Sequence, residues 1–314
     1  MAKEAGLTRG LLRRLVTQGC IRRLHVGVFA LVDQREAEDE YRLAIRAALL
    51  AIPGSHTVLD SSVFVHGLPL PAPSRHRVHV NRKGATYRRM TGLTVHHMPT
   101  PTGHLDSIDG IPTTGLERTA VDIGRRYNLP RALIVLDAAM RRLVQMTLPE
   151  PTGHNSIFAL RGAVLDDTQR LRSRAQLEHV AHDLSGWPGI IRCRVAIECA
   201  DPAAESPLES YSRGVWIQMG LPIPQCGVPV MGADGRTYWA DQLWEDFRVI
   251  GECDGLMKYA DPDALRHEKL RQEALEQAGW VVVRWTWEEI LYRPHVVAAR
   301  LRAAFERGRL LVGT

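Results

Sequence analysis

The chain has no run of 18 apolar residues, so no membrane-spanning helix is expected. Its opening "MAKEAGLTRGLLRRL" lacks the apolar centre of a signal peptide, and a cytoplasmic location is the default expectation. Cysteine is sparse: Cys20, Cys193, Cys199, Cys226 and Cys253 are scattered, odd in number, and contain no Cys-x-x-Cys pair. That pattern argues against a disulfide framework and against a structural zinc site. Internal repeats and low-complexity tracts are absent as well. What remains is a globular composition: 314 residues, 45% hydrophobic and 24% charged, enough for two or three domains.

Charge is in modest excess, at +5 with an isoelectric point near 9.1, but it is uneven. The first 25 residues hold Lys3, Arg9, Arg13, Arg14, Arg22 and Arg23 against one acid, Glu4. A basic N-terminus suits a polyanionic partner, most simply nucleic acid, although a solvated Arg-rich surface has the same composition.

Residues 7–19, "LTRGLLRRLVTQG", read as a short helix capped by Thr8 and stopped at Gly19, with Leu11, Leu12, Leu15 and Val16 along one stripe. The following "CIRRLHVGVFALVD" reads as a two-stranded wing with a kink at Gly27. Helix then basic wing is the second half of a winged helix-turn-helix. In that arrangement Arg9, Arg13 and Arg14 face DNA, and Arg22, Arg23 and His25 lie on the wing. The alternative is a helix and hairpin that only pack on the next domain.

Residues 38–147 read as mixed α/β. "EDEYRLAIRAALLAI" is a helix ended by Pro53-Gly54, "RHRVHV" and "GLTVHHM" are strands, and "TGLERTAVDIGRR" and "PRALIVLDAAMRRLV" are helices. His76 and His79 are three apart on a strand, and His96 and His97 are neighbours, so neither pair converges on a metal. Residues 148–204, which include Pro149, Pro151, Gly153, Pro188, Gly189 and Pro202 and one helix near "DDTQRLRSRAQLEHVAHDL", read as a connecting region. The N-terminal segment, together with "HTVLDSSVFVHGLPL" and "IPTTGLERTAVDIGRR", resembles the winged-helix and middle domains of AbiEi-family antitoxins. Those relatives usually carry one more helix ahead of the segment seen here, so the winged helix is expected to be partial.

From Ser206 the pattern changes. "SPLESYSRGVWIQMG" is a helix with Ser206 at the N-cap, Pro207 first, Glu209 at N3 and Gly220 as its stop. "LPIPQCGVPV" is an edge-like strand, and "RTYWADQLW" and "FRVIGECDG" form a hairpin. "DPDALRHEKLRQEALEQAG" is a helix, "WVVVRW" a strand of the buried parallel type, and "RPHVVAARLRAAFERG" a last helix. With the hairpin turn at Asp246-Phe247, Asp241 opposes Glu252, and opposed side chains share a face at about 4.5–5.5 Å between Cβ atoms. Glu252 and Asp254, two apart, share that face too. Three carboxylates then converge at one sheet end, a setting for a hard cation such as Mg²⁺ that polarises a phosphate and activates water.

The order helix, three strands, helix, strand, helix, with "SPLES", "AD", "ECDG" and "GWVVVRWTWEEI", resembles the Vsr-like branch of PD-(D/E)XK endonucleases over roughly residues 205–305. The resemblance implies a restriction-endonuclease-like αβββαβ domain, Mg²⁺ as cofactor with Mn²⁺ as substitute, and a metal held by Asp241, Glu252 and the backbone carbonyl of Cys253. It adds Glu209 as a fourth acid. The general pattern has Lys where Asp254 stands, and Lys258 either replaces that charge from a loop or is a bystander, which would leave the site weak or dead. Glu209 is equally a capping residue. Glu245 and Asp246 read as a solvated turn, Arg266 and Lys269 as phosphate contacts or solvated charges, and Trp280, Trp285 and Trp287 as core.

The expected architecture is therefore mixed α/β: a partial winged helix (1–35), an AbiEi-like α/β domain (36–147), a connecting region (148–204) and a Vsr-like nuclease domain (205–314). The expected function is DNA binding with metal-dependent hydrolysis of DNA phosphodiesters. The alternative is a non-catalytic transcriptional repressor or antitoxin of a toxin–antitoxin or phage-defence system. DNA is the expected partner, no membrane is, and a cognate toxin, a repair or defence partner, or a second copy of the chain is compatible with the resemblance.

Overall fold

A computed structural model describes residues 7–70, 77–149, 155–254 and 262–312. The chain divides into two compact units, Met1–Thr119 and Ala120–Thr314. The breaks expected from sequence fall instead after residues 35, 147 and 204.

The first unit opens with helix α1 (Arg9–Thr17), where the Thr8 hydroxyl accepts from the Leu11 backbone N–H at 3.2 Å. None of its residues is buried, so the apolar stripe is only partly covered. Strands β1 (Ile21–His25) and β2 (Val28–Leu31) pair as the expected hairpin, turning at Gly27, whose φ of 78° suits glycine. Helix α2 (Ala37–Ala51) lays Tyr41, Ile45 and Ala48 on a six-stranded sheet. That sheet contains β3 (His56–Thr57), β4 (Val78–Asn81), β5 (Arg88–Met90), β6 (Leu93–His96), β7 (Leu105–Ile108) and β8 (Ile111–Thr114), in the order β5-β6-β4-β3-β8-β7. Val78, Val80, Leu93, Val95 and Ile111 close the core against α2.

Helix α3 (Asp60–Val65) supplies Ser62 to a buried hydroxyl cluster: Thr113 donates to Ser62 at 2.8 Å, and Thr114 donates to it at 3.0 Å. Thr114 also meets Thr119 at 2.7 Å, which explains the run of small hydroxyl residues in "IPTTGLERT" as scaffold. His76 lies outside the described residues. The structure brings His79 to His96 across β4 and β6, with Nδ1 and Nε2 2.9 Å apart, so one ring nitrogen donates and the other accepts. Neither of the histidine pairings visible in the sequence anticipates this contact. Helix α4 (Leu116–Arg126) runs through the division between the units.

In the second unit, α5 (Leu129–Gln145) is the central helix, with eleven buried residues. Around it pack α6 (Asn155–Leu165), α7 (Asp167–Asp183), α8 (Ile190–Glu198) and α9 (Pro207–Gln218). Residues 148–204, expected as a connecting region, thus hold three helices that bury apolar surface on α5. Helices α5 and α9 approach closely because position 214 is glycine: a Cβ there would sit 2.5 Å from Pro130 Cα.

Beyond α9 come β9 (Gln225–Met231), β10 (Thr237–Trp244), a 3₁₀ turn at Glu245–Phe247, β11 (Val249–Asp254), α10 (Pro262–Gln277) and β12 (Val281–Thr286). Helices α11 (Trp287–Tyr292) and α12 (Pro294–Val312) follow. A reciprocal Thr286–Glu289 capping box starts α11, which the sequence pattern does not mark as a separate helix.

The four strands order as β12-β11-β10-β9, antiparallel except for the parallel β11–β12 pair. The proline-bearing β9 sits at the edge, as expected. β12 is the other edge, so Val283 and Trp285 are buried while its remaining residues are half-buried, less covered than a continuous apolar run suggests. One face of the sheet packs Trp216, Trp244, Trp285, Leu301 and Phe305; the other packs Leu243, Ile250, Leu275 and Trp280. Side chains of this size each contribute roughly 1.5–3 kcal/mol through burial. Among the described residues, no helix is long and apolar enough to cross a membrane.

Candidate functional site

The β10–β11 hairpin pairs Trp244 with Val249, Leu243 with Ile250, and Gln242 with Gly251. One step further along that register sets Asp241 opposite Glu252, and the turn spans Glu245–Phe247. Arg248, in the left-handed region at φ 53°, closes it. Alternation then separates two kinds of side chain. Gln242, fully buried, accepts from Trp216 Nε1 at 2.9 Å and donates to the Glu209 carbonyl at 3.0 Å. Asp241, one residue earlier, points to the opposite face, where its Oδ2 accepts from the Cys253 backbone N–H at 2.7 Å. Gly251 has no room for a side chain, since a Cβ would lie 2.4 Å from the Trp285 ring. The Trp285 indole can therefore rest directly on the strand that carries Glu252.

Glu209 and Glu252 both feel the charge of Asp241. Glu209 is 4% exposed and Glu252 2%. Burial first, then the Asp241 carboxylate, pushes the carboxyl of each up to about 8. Glu209 also plays its capping part: its backbone N–H donates to Ser206 Oγ at 3.2 Å, while its Oε2 accepts from the Glu205 N–H at 2.8 Å. Glu205 is gripped by Arg161 through two bonds of 2.8 and 2.9 Å and by Arg141 at 3.1 Å. Burial raises the Glu205 carboxyl, but these guanidiniums more than offset it and leave it below its ordinary value.

The cation that touches Glu252 is an arginine that the sequence does not single out. Arg271, on α10, donates to both Glu252 oxygens at 3.0 and 2.9 Å and to the Trp239 carbonyl at 2.7 Å. Asp254, 6% exposed, is met by Arg284 at 3.3 Å, and Glu268 joins the two arginines at 3.8 and 2.5 Å. Arg284 stands opposite Glu252 on the parallel β12. Arg266 and Lys269, candidates for phosphate contacts on sequence grounds, are exposed on α10. Lys258 lies outside the described residues.

Whether these acids fit a divalent ion is decided by their free oxygens. Their charge suits one, since the Asp241 carboxylate adds to burial in raising Glu209 and Glu252. Their geometry does not: Arg271 takes both Glu252 oxygens, and among the described residues no group of three or more His, Cys, Asp or Glu is placed to hold a metal. As folded here, the set expected from sequence (Asp241, Glu252 and the Cys253 carbonyl) has Arg271 on Glu252 and the Cys253 N–H on Asp241.

At the N-terminus, Arg9, Arg13 and Arg14 are exposed on α1, which has no acid in its first turn. Arg9 and Arg13 are one turn apart and share a face. On the hairpin, Arg23 is exposed and donates to the His25 carbonyl at 3.2 Å, whereas Arg22 is drawn into an ion pair with Glu40 of α2. Arg22 therefore already has an acidic partner within the protein. His25 is half-buried, and burial lowers its pKa.

Comparison with known proteins gives two relatives, both named as uncharacterized proteins of Mycobacterium tuberculosis: MT2308 of strain CDC 1551 / Oshkosh and Rv2248 of strain H37Rv. Each is 28% identical over 306 residues, covering 97% of this chain and 99% of the relative. Among solved structures, the crystal structure of the RV2827C protein from Mycobacterium tuberculosis aligns with 62% of this chain and 72% of its own, at 17% identity and a TM-score of 0.36. The acid cluster of the second unit lies outside the segment that matches a family: residues 55–172 match the AbiEi antitoxin C-terminal domain.

Proposed function

We propose that this protein is a DNA-binding regulator of the antitoxin type, with α1 and the β1–β2 hairpin as its DNA contact. The observation that carries this reading is a helix with no buried residue, presenting Arg9, Arg13 and Arg14 to solvent. It stands upstream of the segment that matches an AbiEi antitoxin domain. A helix that buries so little contributes little to its own stability, and three solvent-facing guanidiniums on it suit a phosphate backbone. Replacing Arg13 and Arg14 together by Ala should weaken binding to duplex DNA. It should also reduce the slope of log K against log salt by about 0.9 for each phosphate that is no longer neutralised. Fluorescence anisotropy over a salt series measures both quantities. Unchanged affinity and slope would make α1 a packing element and overturn the reading. A cognate toxin, under this reading, is a further partner.

A second reading is metal-dependent hydrolysis of DNA at the acid cluster. Two observations favour it: the αβββαβ order of the second unit's sheet region, and the gathering of Glu209, Asp241 and Glu252, where burial first and the Asp241 charge second raise Glu209 and Glu252. It requires Arg271 to release Glu252. Plasmid nicking with Mg²⁺, Mn²⁺ or EDTA tests it. Nicking that requires metal and disappears in Glu252→Gln supports the reading. No cleavage in either metal, or equal cleavage by the variant, eliminates it.

A further inference from the structure

The acid cluster of the second unit already has a cation on one of its members, and the fold fixes that cation in place. Helix α10 buries Ala274 and Leu275, and Leu275 packs with Leu243, Ile250 and Trp280 on one face of the sheet. The Ala274 carbonyl accepts from the Ala233 N–H at 3.0 Å, which ties the helix to the turn between β9 and β10. Arg271, one helical turn before Leu275, therefore points at the same strands. Its guanidinium donates to the two Glu252 oxygens at 3.0 and 2.9 Å and to the Trp239 carbonyl at 2.7 Å, and it lies 3.8 Å from Glu268. The head group is thus held by β10, β11 and its own helix together. The Glu252 side chain is 2% exposed and that of Arg271 19%, so the arginine is the partner nearer solvent.

Two guanidinium nitrogens meeting two carboxylate oxygens is the paired geometry that makes arginine–carboxylate contacts strong. A small divalent ion such as Mg²⁺ sits about 2.0–2.1 Å from a carboxylate oxygen, well inside the distance that Arg271 keeps. An ion on the same lone pairs therefore requires the guanidinium to leave. An ion on the outer lone pairs of Glu252 would stand beside the guanidinium in a buried setting, where like charges repel strongly. Asp241, opposite Glu252 on β10, has its Oδ2 committed to the Cys253 N–H at 2.7 Å.

We propose that the Arg271 guanidinium and a divalent cation are alternative occupants of Glu252, and that arginine is the resting one, a latch that keeps the cluster closed to metal. The same contact ties α10 to the β10–β11 hairpin, so closing the cluster and holding the helix are one interaction. The latch is independent of DNA contact by α1. It touches the cleavage reading only through the release of Arg271 which that reading requires.

The test uses the full chain without nucleic acid, titrated with Mn²⁺ at pH 8, the free ion being counted by its electron paramagnetic resonance signal. The parent and Glu252→Gln should bind Mn²⁺ alike, within about 2-fold, because Arg271 already occupies Glu252. Arg271→Ala should gain a site at least about 10-fold tighter than any in the parent, and the double variant Arg271→Ala/Glu252→Gln should lose it again. Arg271→Lys keeps the charge without the paired geometry and should fall between the parent and Arg271→Ala. Far-UV circular dichroism confirms that each variant is folded. If Arg271→Ala does not fold, Arg271→Lys and the comparison of the parent with Glu252→Gln decide. The proposal is overturned if Glu252→Gln weakens Mn²⁺ binding by the parent, or if the folded Arg271 variants bind Mn²⁺ no better than the parent does.

Discussion

Asp137→Ala is expected to destabilise the second unit by about 3–5 kcal/mol, the usual consequence of removing one partner from a buried ion pair. Asp137 is completely buried on α5, and it holds α9 through Arg213 and the chain after α8 through the Asp201 N–H at 2.9 Å. Burial pushes its carboxyl up while the Arg213 guanidinium pulls it back, so the pair is held by contact rather than by solvent. Removing the acid leaves the Arg213 charge buried, with a carbonyl as its nearest compensation. Asp137→Asn keeps the shape and one acceptor and should cost distinctly less. Urea unfolding followed by circular dichroism measures both. A loss below about 1 kcal/mol for Asp137→Ala would mean that solvent reaches Arg213, and that the pair does not anchor α5 to α9.

This pair is invisible in the sequence for the same reason that Arg271 is. Asp137 and Arg213 are 76 residues apart, and Arg271 and Glu252 are 19 apart on different elements. No periodicity reports such contacts. Local chemistry is far more legible. Thr8 and Ser206 cap the helices their positions suggest, and the two-residue alternation of β10 and β11 is enough to place Asp241 opposite Glu252. Those inferences need only spacing and the geometry of a single hairpin.

What the sequence hides is the order of non-adjacent strands or helices. His79 meets His96 because β4 and β6 are parallel neighbours, an arrangement set by the crossover between them. Residues 148–204 resemble a connector because their prolines and glycines mark turns. Those turns separate three helices whose apolar faces are completed by α5 and by one another. The acid cluster is legible in "AD" and "ECDG", but its arginine collar is not, and the collar changes what the acids can hold.

The remaining carboxylates carry the second large expectation, a pH dependence. Burial first and the Asp241 charge second push the Glu209 and Glu252 carboxyls up to about 8 in the folded protein, against an ordinary value of 4.5. Between those values the folded state binds more protons than the unfolded one, so stability falls as pH rises. The loss is complete once pH passes the folded value. A tenfold difference in proton affinity between the two states is worth about 1.4 kcal/mol, and because the two acids interact through Asp241 they titrate as a set. Asp241→Asn keeps an oxygen for the Cys253 N–H and removes the charge that adds to burial in raising both neighbours. It should therefore be more stable than the parent at pH 8 by about 1 kcal/mol or more, and close to it at pH 5. Unfolding free energies at the two pH values check this. A variant destabilised equally at both would assign Asp241 a purely structural role. The same experiment with Mn²⁺ at pH 8 bears on the cleavage reading. A cation that enters the cluster raises the stability of the parent by RT ln(1 + [Mn²⁺]/Kd) and leaves Asp241→Asn unmoved. If Mn²⁺ shifts neither protein, Arg271 keeps its place and the acids serve the fold.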